Sequence, residues 1–507
     1  MLALSMSWIF VIEQDQSLFE EIAEAISLIE PKIDVIRFAE NKSFLDWLTR
    51  YVQHDSALEP PAPKDQFLGI VTAVEPWKFK DVKLIGKFKA LFIQKGLALN
   101  EDNLGVVFTG YEADALQKKR YENRAVNNFI YKPFDKIVLR QMLEIAFSGR
   151  HSVKKFYVHN LKMTAQVEML KEIVSTGLTE VGFQTSSDQP VEPGKVSKYY
   201  AKFLETDQHR SALAQVLNAE KDSKSFQVYL RFFALDQQQS FNLQKLVREK
   251  SKNVPLNGTS EARESFEFIF IPHPQSSLCD EVRPSVERFF DHPIRVIPSL
   301  AELVKELSLP AEAPSLIRRF IFIDRMHVIG NEAAEIQGVL NSIIEKNLSV
   351  FLLSPKIFNE ALELELSVTC EDIFYAPFNK SYLMKGLKQR WPALRVREEL
   401  FEARREMEQA IHVSNPVRMV QVSEAGLVIE YYREIALGEF REFVFWMPNE
   451  IEVPTLMAQC NFTERVEGKK TFYCHFVLFG LRDSELKFVR LWMRHQYIEA
   501  KQKEQAD

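Results

Sequence analysis

The chain opens on the hydrophobic run Trp8-Ile9-Phe10-Val11-Ile12, the pattern of a strand buried on both faces. Leu18, Ile22, Ile26 and Ile29 then recur at helical spacing. Further apolar runs at Ile33–Phe38, Phe67–Val74, Leu104–Phe108 and Phe129–Tyr131 predict four more strands. Strands alternating with helices imply a parallel sheet covered on both sides. From Lys154 the rhythm shortens. Phe156–His159, Met163–Met169, Lys171–Val174, Lys195–Leu204, Ser211–Leu217 and Phe226–Phe233 read as short strands. Phe241, Leu243, Leu246 and Val247 suggest a closing helix. Many short strands with turns between them predict a β-barrel or sandwich.

Both rhythms then return. Phe266–Ile271 and Phe320–Ile323 repeat the long apolar runs. Val417–Val422, Gly426–Tyr432, Glu442–Met447, Thr455–Phe462 and Thr471–Phe479 repeat the short alternating strands. A second closing helix runs from Glu485 to about Lys501, with Leu486, Val489, Met493 and Tyr497 as its stripe. Glu249–Glu264 is a polar linker between the halves. Arg395–Ala410 is expected to be a charged linker helix, with Arg395/Glu399 and Glu402/Arg405 near ion-pair spacing.

Two unlike markers carry the repeat. Pro133 to Gly182 spans 49 residues, and Pro377 to Gly426 spans 49 as well. The chain therefore reads as one two-domain unit written twice.

Composition narrows the classes. A net charge of −6 supplies no bulk field toward nucleic acid or anionic lipid. No apolar run reaches the length of a membrane span, so membrane insertion is not expected. Cys279, Cys370, Cys460 and Cys474 form no CxxC pair, and a thiol-poor chain of this size reads as cytosolic. Cys460 and Cys474 lie where a hairpin could set them face to face. The ten histidines have no ligand spacing, so no metal site is expected.

Glu13, Thr72, Thr109 and Lys132 fall at the carboxyl ends of the predicted parallel strands, where such sheets bind ligands. Their arrangement resembles the receiver domain of bacterial response regulators. The resemblance implies an acidic pair after the first strand, a phosphorylated aspartate after the third, a Ser/Thr after the fourth and a Lys-Pro after the fifth. Thr109 and Lys132-Pro133 match; Thr72 stands for the aspartate, and Gln14 replaces one acid beside Glu13. Aspartyl phosphorylation needs a carboxylate nucleophile and Mg²⁺ held by oxygens. Thr72 supplies neither, so the first copy is expected to be a pseudo-receiver, with Lys132 snorkelling or pairing with Glu13. The family also implies a cis bond at Lys132-Pro133. In the second copy Asp324 stands at the phosphoacceptor position and Ser354 follows the fourth strand, but Pro272-His273 replaces the acidic pair and Ala376 the lysine. Asp324 is expected to pair with Arg325 or Arg319, with His273 as another neighbour.

The short-strand segments resemble the PilZ domain, a six-stranded barrel family that binds cyclic di-GMP. The resemblance implies an RxxxR run before the barrel and a [D/N]xSxxG loop. Arg150 and Lys154 occupy the first pair of positions. The loop reads Gly177, Thr179, Gly182 in the first copy and Gln421, Ser423, Gly426 in the second. Planar guanidinium groups suit both guanine stacking and phosphate.

The expected architecture is multidomain: two flavodoxin-like α/β receiver domains alternating with two PilZ-like β-barrels. The spans are 1–149 receiver-like, 150–250 PilZ-like, 251–264 linker, 265–390 second receiver-like, 391–410 linker helix and 411–507 second PilZ-like with its helix. The expected function is a non-enzymatic signal-transduction adaptor of the bacterial cytoplasm, acting on protein partners and needing no cofactor. Two alternatives stand beside it. One is a cyclic di-GMP receptor using Arg150, Lys154, Thr179 and Gly182. The other is a phospho-switch at Asp324. The excess apolar stripe of the last helix allows a homodimer.

Overall fold

The computed structural model describes residues 7–53, 67–73, 88–90, 92–94, 104–111, 126–147, 165–188, 190–206, 210–222, 225–249, 251–256, 265–307, 317–327, 348–358, 360–397, 400–445 and 454–506. It divides into two compact units that do not follow chain order. Residues 1–170 group with 416–507, and residues 171–415 form the other unit.

In the first unit, β1 (Ser7–Ile12), β2 (Ile33–Phe38), β3 (Phe67–Ala73), β4 (Gly105–Tyr111) and β5 (Asn128–Lys132) form a parallel sheet in the order β2-β1-β3-β4-β5. The apolar runs of β1, β3, β4 and β5 are largely buried, as a sheet covered on both faces requires, and the edge strand β2 is only half-buried. Helices α1 (Gln16–Ile29), α2 (Asn41–Val52) and α3 (Lys136–Phe147) belong to it. Asp15 caps α1 by accepting from Ser17 and Leu18, which fixes where the chain leaves β1.

Antiparallel strands follow. The expected breaks between Met163 and Val174 are absent: one strand, β6, runs Ala165–Thr179. Next come β7 (Gly182–Ser187), β8 (Val196–Tyr200), β9 (Ser211–Asp222), β10 (Ser225–Phe233), helix α4 (Gln237–Arg248) and β11 (Lys252–Pro255). The expected linker is thus partly a strand, and 257–264 lie outside the described residues.

The second parallel sheet has β12 (Ser265–Ile271), α5 (Leu278–Phe289), β13 (Ile294–Val296), α6 (Leu300–Leu307), β14 (Ile317–Asp324), β15 (Leu348–Ser354), α7 (Glu360–Leu366), β16 (Asp372–Tyr375) and α8 (Lys380–Arg390). Its order, β13-β12-β14-β15-β16, repeats that of the first sheet. The peptide bonds before Pro133 and Pro377 are both cis, the first as the receiver resemblance implied.

The charged helix expected over 391–410 does not form. β17 (Phe401–Arg405) pairs with β11 and with Thr179 and Leu178, and β18 (Gln409–Val422) begins four residues later. Helical ion pairs contribute only about 0.2–0.5 kcal/mol each. That is too little to outweigh a strand's backbone bonds and the burial of Leu400 and Ala403. β19 (Gly426–Tyr431), β20 (Phe440–Val444), β21 (Thr455–Arg465), β22 (Phe472–Leu478) and α9 (Asp483–Ala506) complete the chain.

Among the described residues each unit has a run of six antiparallel strand segments in an equivalent order, and the second unit adds β17 and β11 beside β6. The second unit has β6-β7-β10-β9-β8, ending on His412 and Val413 of β18. The first has β18-β19-β22-β21-β20, ending on Glu168–Leu170 of β6. The long strands β6 and β18 therefore each contribute to both units. In the second unit one core joins the β9 and β10 side chains Ala214, Leu230 and Phe232 to Phe268 and Phe351 of the parallel sheet and Tyr382 and Leu387 of α8. In the first, Ala425, Val428, Val477 and Leu486 join the core of β1 and α3.

Candidate functional site

The carboxyl ends of the first parallel sheet bring Glu13 and Lys132 together. The Lys132 ammonium lies 2.8 Å from Glu13 Oε2, with both side chains under 5% exposed. Glu13 Oε1 accepts from the Asp15 N–H at 3.1 Å. The ammonium also lies over the Tyr111 ring, 5.2 Å from its centroid. Arg37, which the sequence reading did not single out, braces the loop above. Its guanidinium donates to the Glu13 carbonyl at 3.2 Å and the Gln14 carbonyl at 2.7 Å. Thr72 and Thr109 are buried at neighbouring strand ends; the Thr72 hydroxyl donates to the Ala73 carbonyl at 3.2 Å. At these strand ends the lysine and the acid neutralise each other.

In the second sheet Asp324 is fully buried at the end of β14. Its Oδ1 accepts from the Met326 N–H at 2.9 Å, and Oδ2 has no hydrogen-bond partner among the described residues. The arginines expected to pair with it are engaged elsewhere. Arg319 binds Glu267 at 3.2 Å, and the Arg325 guanidinium lies over the Phe358 ring at 4.5 Å. The short 3₁₀ turn after β14 lets a backbone N–H reach the carboxylate first. His273 accepts from the Gln275 N–H and meets His327 edge-on at 5.1 Å between centroids. Ser354 donates to the Lys356 carbonyl at 2.6 Å. Burial, with the Asp324 carboxylate adding to it, pushes the Cys279 thiol up to about 12. All four cysteines are buried thiols, and among the described residues no disulfide joins them, Cys460 and Cys474 included.

The two candidate barrel loops are built alike. Thr179 Oγ1 accepts from the Val181 and Gly182 N–H groups and donates to the Gly182 carbonyl. Ser423 Oγ accepts from Ala425 and Gly426 and donates to the Gly426 carbonyl. Each hydroxyl caps its own turn. The glycines are required by the neighbouring strand. A Cβ on Gly182 would lie 2.0 Å from the Leu230 carbonyl oxygen, and one on Gly426 2.1 Å from that of Phe476. Gln421 pairs with Val428 within the sheet. Arg150 and Lys154 lie outside the described residues.

The turn after Thr179 carries a group missed in the sequence. Glu180 is 1% exposed and receives Arg248, 2.6 Å from Nε to Oε1, together with Lys385 on Oε2. Its counterpart Glu424 receives Arg490 at 2.7 Å, which also holds Asp135 at 2.9 Å. The Arg490 bond and backbone bonds from Ile137 and Val138 keep the Asp135 carboxyl below its usual range despite partial burial.

Each unit also fixes its antiparallel strands to its parallel sheet through the first residue of the last parallel strand. Asn128 donates to the Leu478 carbonyl at 3.1 Å and accepts from the Gly480 N–H at 3.2 Å. Asp372 accepts from the Ala234 N–H at 2.8 Å and lies 3.1 Å from the Arg231 guanidinium. Burial raises the Asp372 carboxyl above its usual range, against the Arg231 charge and two backbone bonds. Both residues stand five before a cis proline, a signal the repeat spacing already contained.

Among the described residues no group of three or more His, Cys, Asp or Glu side chains could hold a metal, and no helix is long and apolar enough to cross a membrane. No family model matches the chain, and no curated protein matches it. Some solved structures are similar. A protein of Burkholderia pseudomallei K96243 named as pilus assembly-related shares 14% identity over 26% of this chain and 94% of its own, with a TM-score of 0.21. A pilus assembly protein (cpaE) by name, from Burkholderia thailandensis E264, shares 16% over 25% of this chain and 97% of its own, with a TM-score of 0.20. A protein named as a two-component system response regulator/GGDEF domain protein shares 10% over 76% of this chain and 98% of its own, with a TM-score of 0.20. Likenesses at these scores carry no argument about function.

Proposed function

We propose that this chain is a non-enzymatic signal-transduction adaptor, an internal duplication of a receiver-like and a PilZ-like domain that acts on protein partners in a bacterial cytoplasm. What supports the reading is one observation made in both copies: Lys132, Thr179, Ser423 and one oxygen of Asp324 are taken up by the protein itself. Lys132 is held by Glu13. Asp324 caps Met326 and has neither lysine nor a second acid where the family has them. Thr179 and Ser423 cap their own turns. A phosphoryl group needs a metal held by several oxygens, and these arrangements leave no such set. Fold does not fix function, so the surfaces rather than the ancestral sites carry the proposal.

Calorimetry and mass measurement on the full chain test it. The reading expects no heat on titration with cyclic di-GMP and no mass gain with acetyl phosphate and Mg²⁺. A micromolar dissociation constant that weakens in Arg150→Ala or Thr179→Ala would make the protein a cyclic di-GMP receptor instead. A mass gain of one phosphoryl group, lost in Asp324→Asn, would make it a phospho-switch.

A further inference from the structure

β17 crosses the Thr179 turn in the second unit. Arg404 and Arg405 pair with Thr179 and Leu178 of β6 on one side, and Glu402 stands opposite Val254 of β11 on the other. Further bonds hold it there: the Ala403 N–H reaches Glu180 Oε2 at 3.4 Å, and Arg404 donates to Gln184 at 2.5 Å. Arg405 donates to the Leu246 carbonyl at 2.7 Å. Glu402 is the exception among these residues. Its side chain is buried, and its Oε1 has no hydrogen-bond partner among the described residues. The groups facing it are Thr179 of β6, Glu180 of the turn, Lys385 of α8 and Arg404 of its own strand. The cations are committed elsewhere, since Lys385 sits on Glu180 and Arg404 on Gln184. Arg248 of α4 is committed to Glu180 as well. An ionised Glu402 would be a buried carboxylate beside a second carboxylate, with no cation of its own.

We propose that Glu402 is a proton-operated catch on β17: protonated, it keeps the strand seated across the Thr179 turn; ionised, it releases it. Release uncovers the backbone edge of β6 at Leu178 and Thr179, an edge that another strand can pair with. The inference concerns the equilibrium of this strand alone and stands apart from the adaptor reading. The electrostatics agree with the geometry. Burial, with Glu180 adding to it against the neighbouring Thr179 hydroxyl, Lys385 and Arg404, pushes the Glu402 carboxyl from 4.5 to about 7. A carboxyl raised in the folded state contributes stability that is full below pH 4.5 and lost as pH rises through about 7.

Hydrogen exchange of the full chain, corrected for the intrinsic rate, reads the strand directly at residues 401–405. Protection is expected to fall roughly tenfold per pH unit between about pH 5 and 6.5 and to flatten above about 7.5. In Glu402→Gln the profile should be level. A level profile in the wild type, or the same slope in Glu402→Gln, overturns the proposal. Should the glutamine variant fail to fold, ¹³C-glutamate labelling of the wild type decides. A glutamate carboxyl titrating near pH 7 upholds the catch, and titration of every glutamate below about pH 5.5 removes it.

Discussion

Asn128 and Asp372 do the same job in the two units by different chemistry. Each begins the last parallel strand, and each accepts a backbone N–H from a residue just past the last antiparallel strand, Gly480 or Ala234. An amide both donates and accepts, so Asn128 also satisfies the Leu478 carbonyl unaided. An ionised carboxylate cannot donate. In the second unit the Tyr382 hydroxyl supplies the missing donor, reaching the corresponding Phe232 carbonyl at 2.8 Å, while Arg231 neutralises Asp372 and gives a 2.7 Å hydrogen bond to the Glu371 carbonyl. Register makes the difference sharp. Arg231 lies opposite Gly182, and the residue opposite Gly426 is Val477. One neutral residue is thus replaced by a pair of charges, 1% and 0% exposed. The teaching is that a single backbone requirement admits a neutral and an ionic solution, each joining positions far apart in the chain.

The largest expected effect comes from breaking the ionic version. Asp372→Ala leaves a buried guanidinium unpaired, which costs about 3–5 kcal/mol in denaturant unfolding of the second unit. The double variant Arg231→Val/Asp372→Asn rebuilds the first unit's neutral arrangement. It should recover most of that loss, because a buried ion pair is often no better than a well-packed neutral replacement. A double variant as unstable as Asp372→Ala would mean the charges contribute something the amide cannot.

The reverse exchange is the next largest. Asn128→Asp places a carboxylate opposite the Leu478 carbonyl with no arginine at Val477. The loss should be about 3 kcal/mol at neutral pH and should shrink under acid, where the protonated carboxyl can again donate. Adding Val477→Arg should restore part of it. Asn128→Ala, which introduces no charge, should cost less, about 1–3 kcal/mol for the unsatisfied backbone groups. If Asn128→Ala proves the more damaging of the two, the carboxylate has found a partner and the comparison fails.

Much of the fold could be read from the chain. Continuous apolar runs such as Phe266–Ile271 can be buried only within covered parallel sheets, and they are. The equal spacing of Pro133–Gly182 and Pro377–Gly426 falls on matching cis prolines and matching turns. The grouping of the segments was not legible, because alternation gives a strand's faces but not its neighbours. Nothing in Glu168–Leu170 announces that these residues pair with β20. β17 was hidden for a related reason: Glu402 and Arg405 fit a helix's ion-pair spacing as well as a strand. At the sites, the Glu13–Lys132 pair was foreseeable from opposite charges at two strand ends. Asn128, Asp372, Glu180 and Arg231 were not, since each matters through a residue far away in the chain.

The smallest effect tests the backbone that both solutions serve. Gly480 has φ 58° and Ala234 φ 55°, so the chain takes the left-handed conformation at both places. Glycine adopts it freely, and alanine meets its own Cβ against the following carbonyl at a cost of roughly 1 kcal/mol. Gly480→Ala should therefore destabilise the first unit by about 1 kcal/mol. Ala234→Gly should change the second unit by less, because the relief of strain is offset by greater freedom of the unfolded chain. Both are read by unfolding in urea, and their inequality is the point. The second unit already carries the alanine strain, which the Asp372 carboxylate helps to hold through its 2.8 Å bond to the Ala234 N–H. In Asp372→Ala that bond is gone, and Ala234→Gly should become the more stabilising of its two backgrounds. Equal effects with and without Asp372 would separate the turn's strain from the carboxylate that holds it.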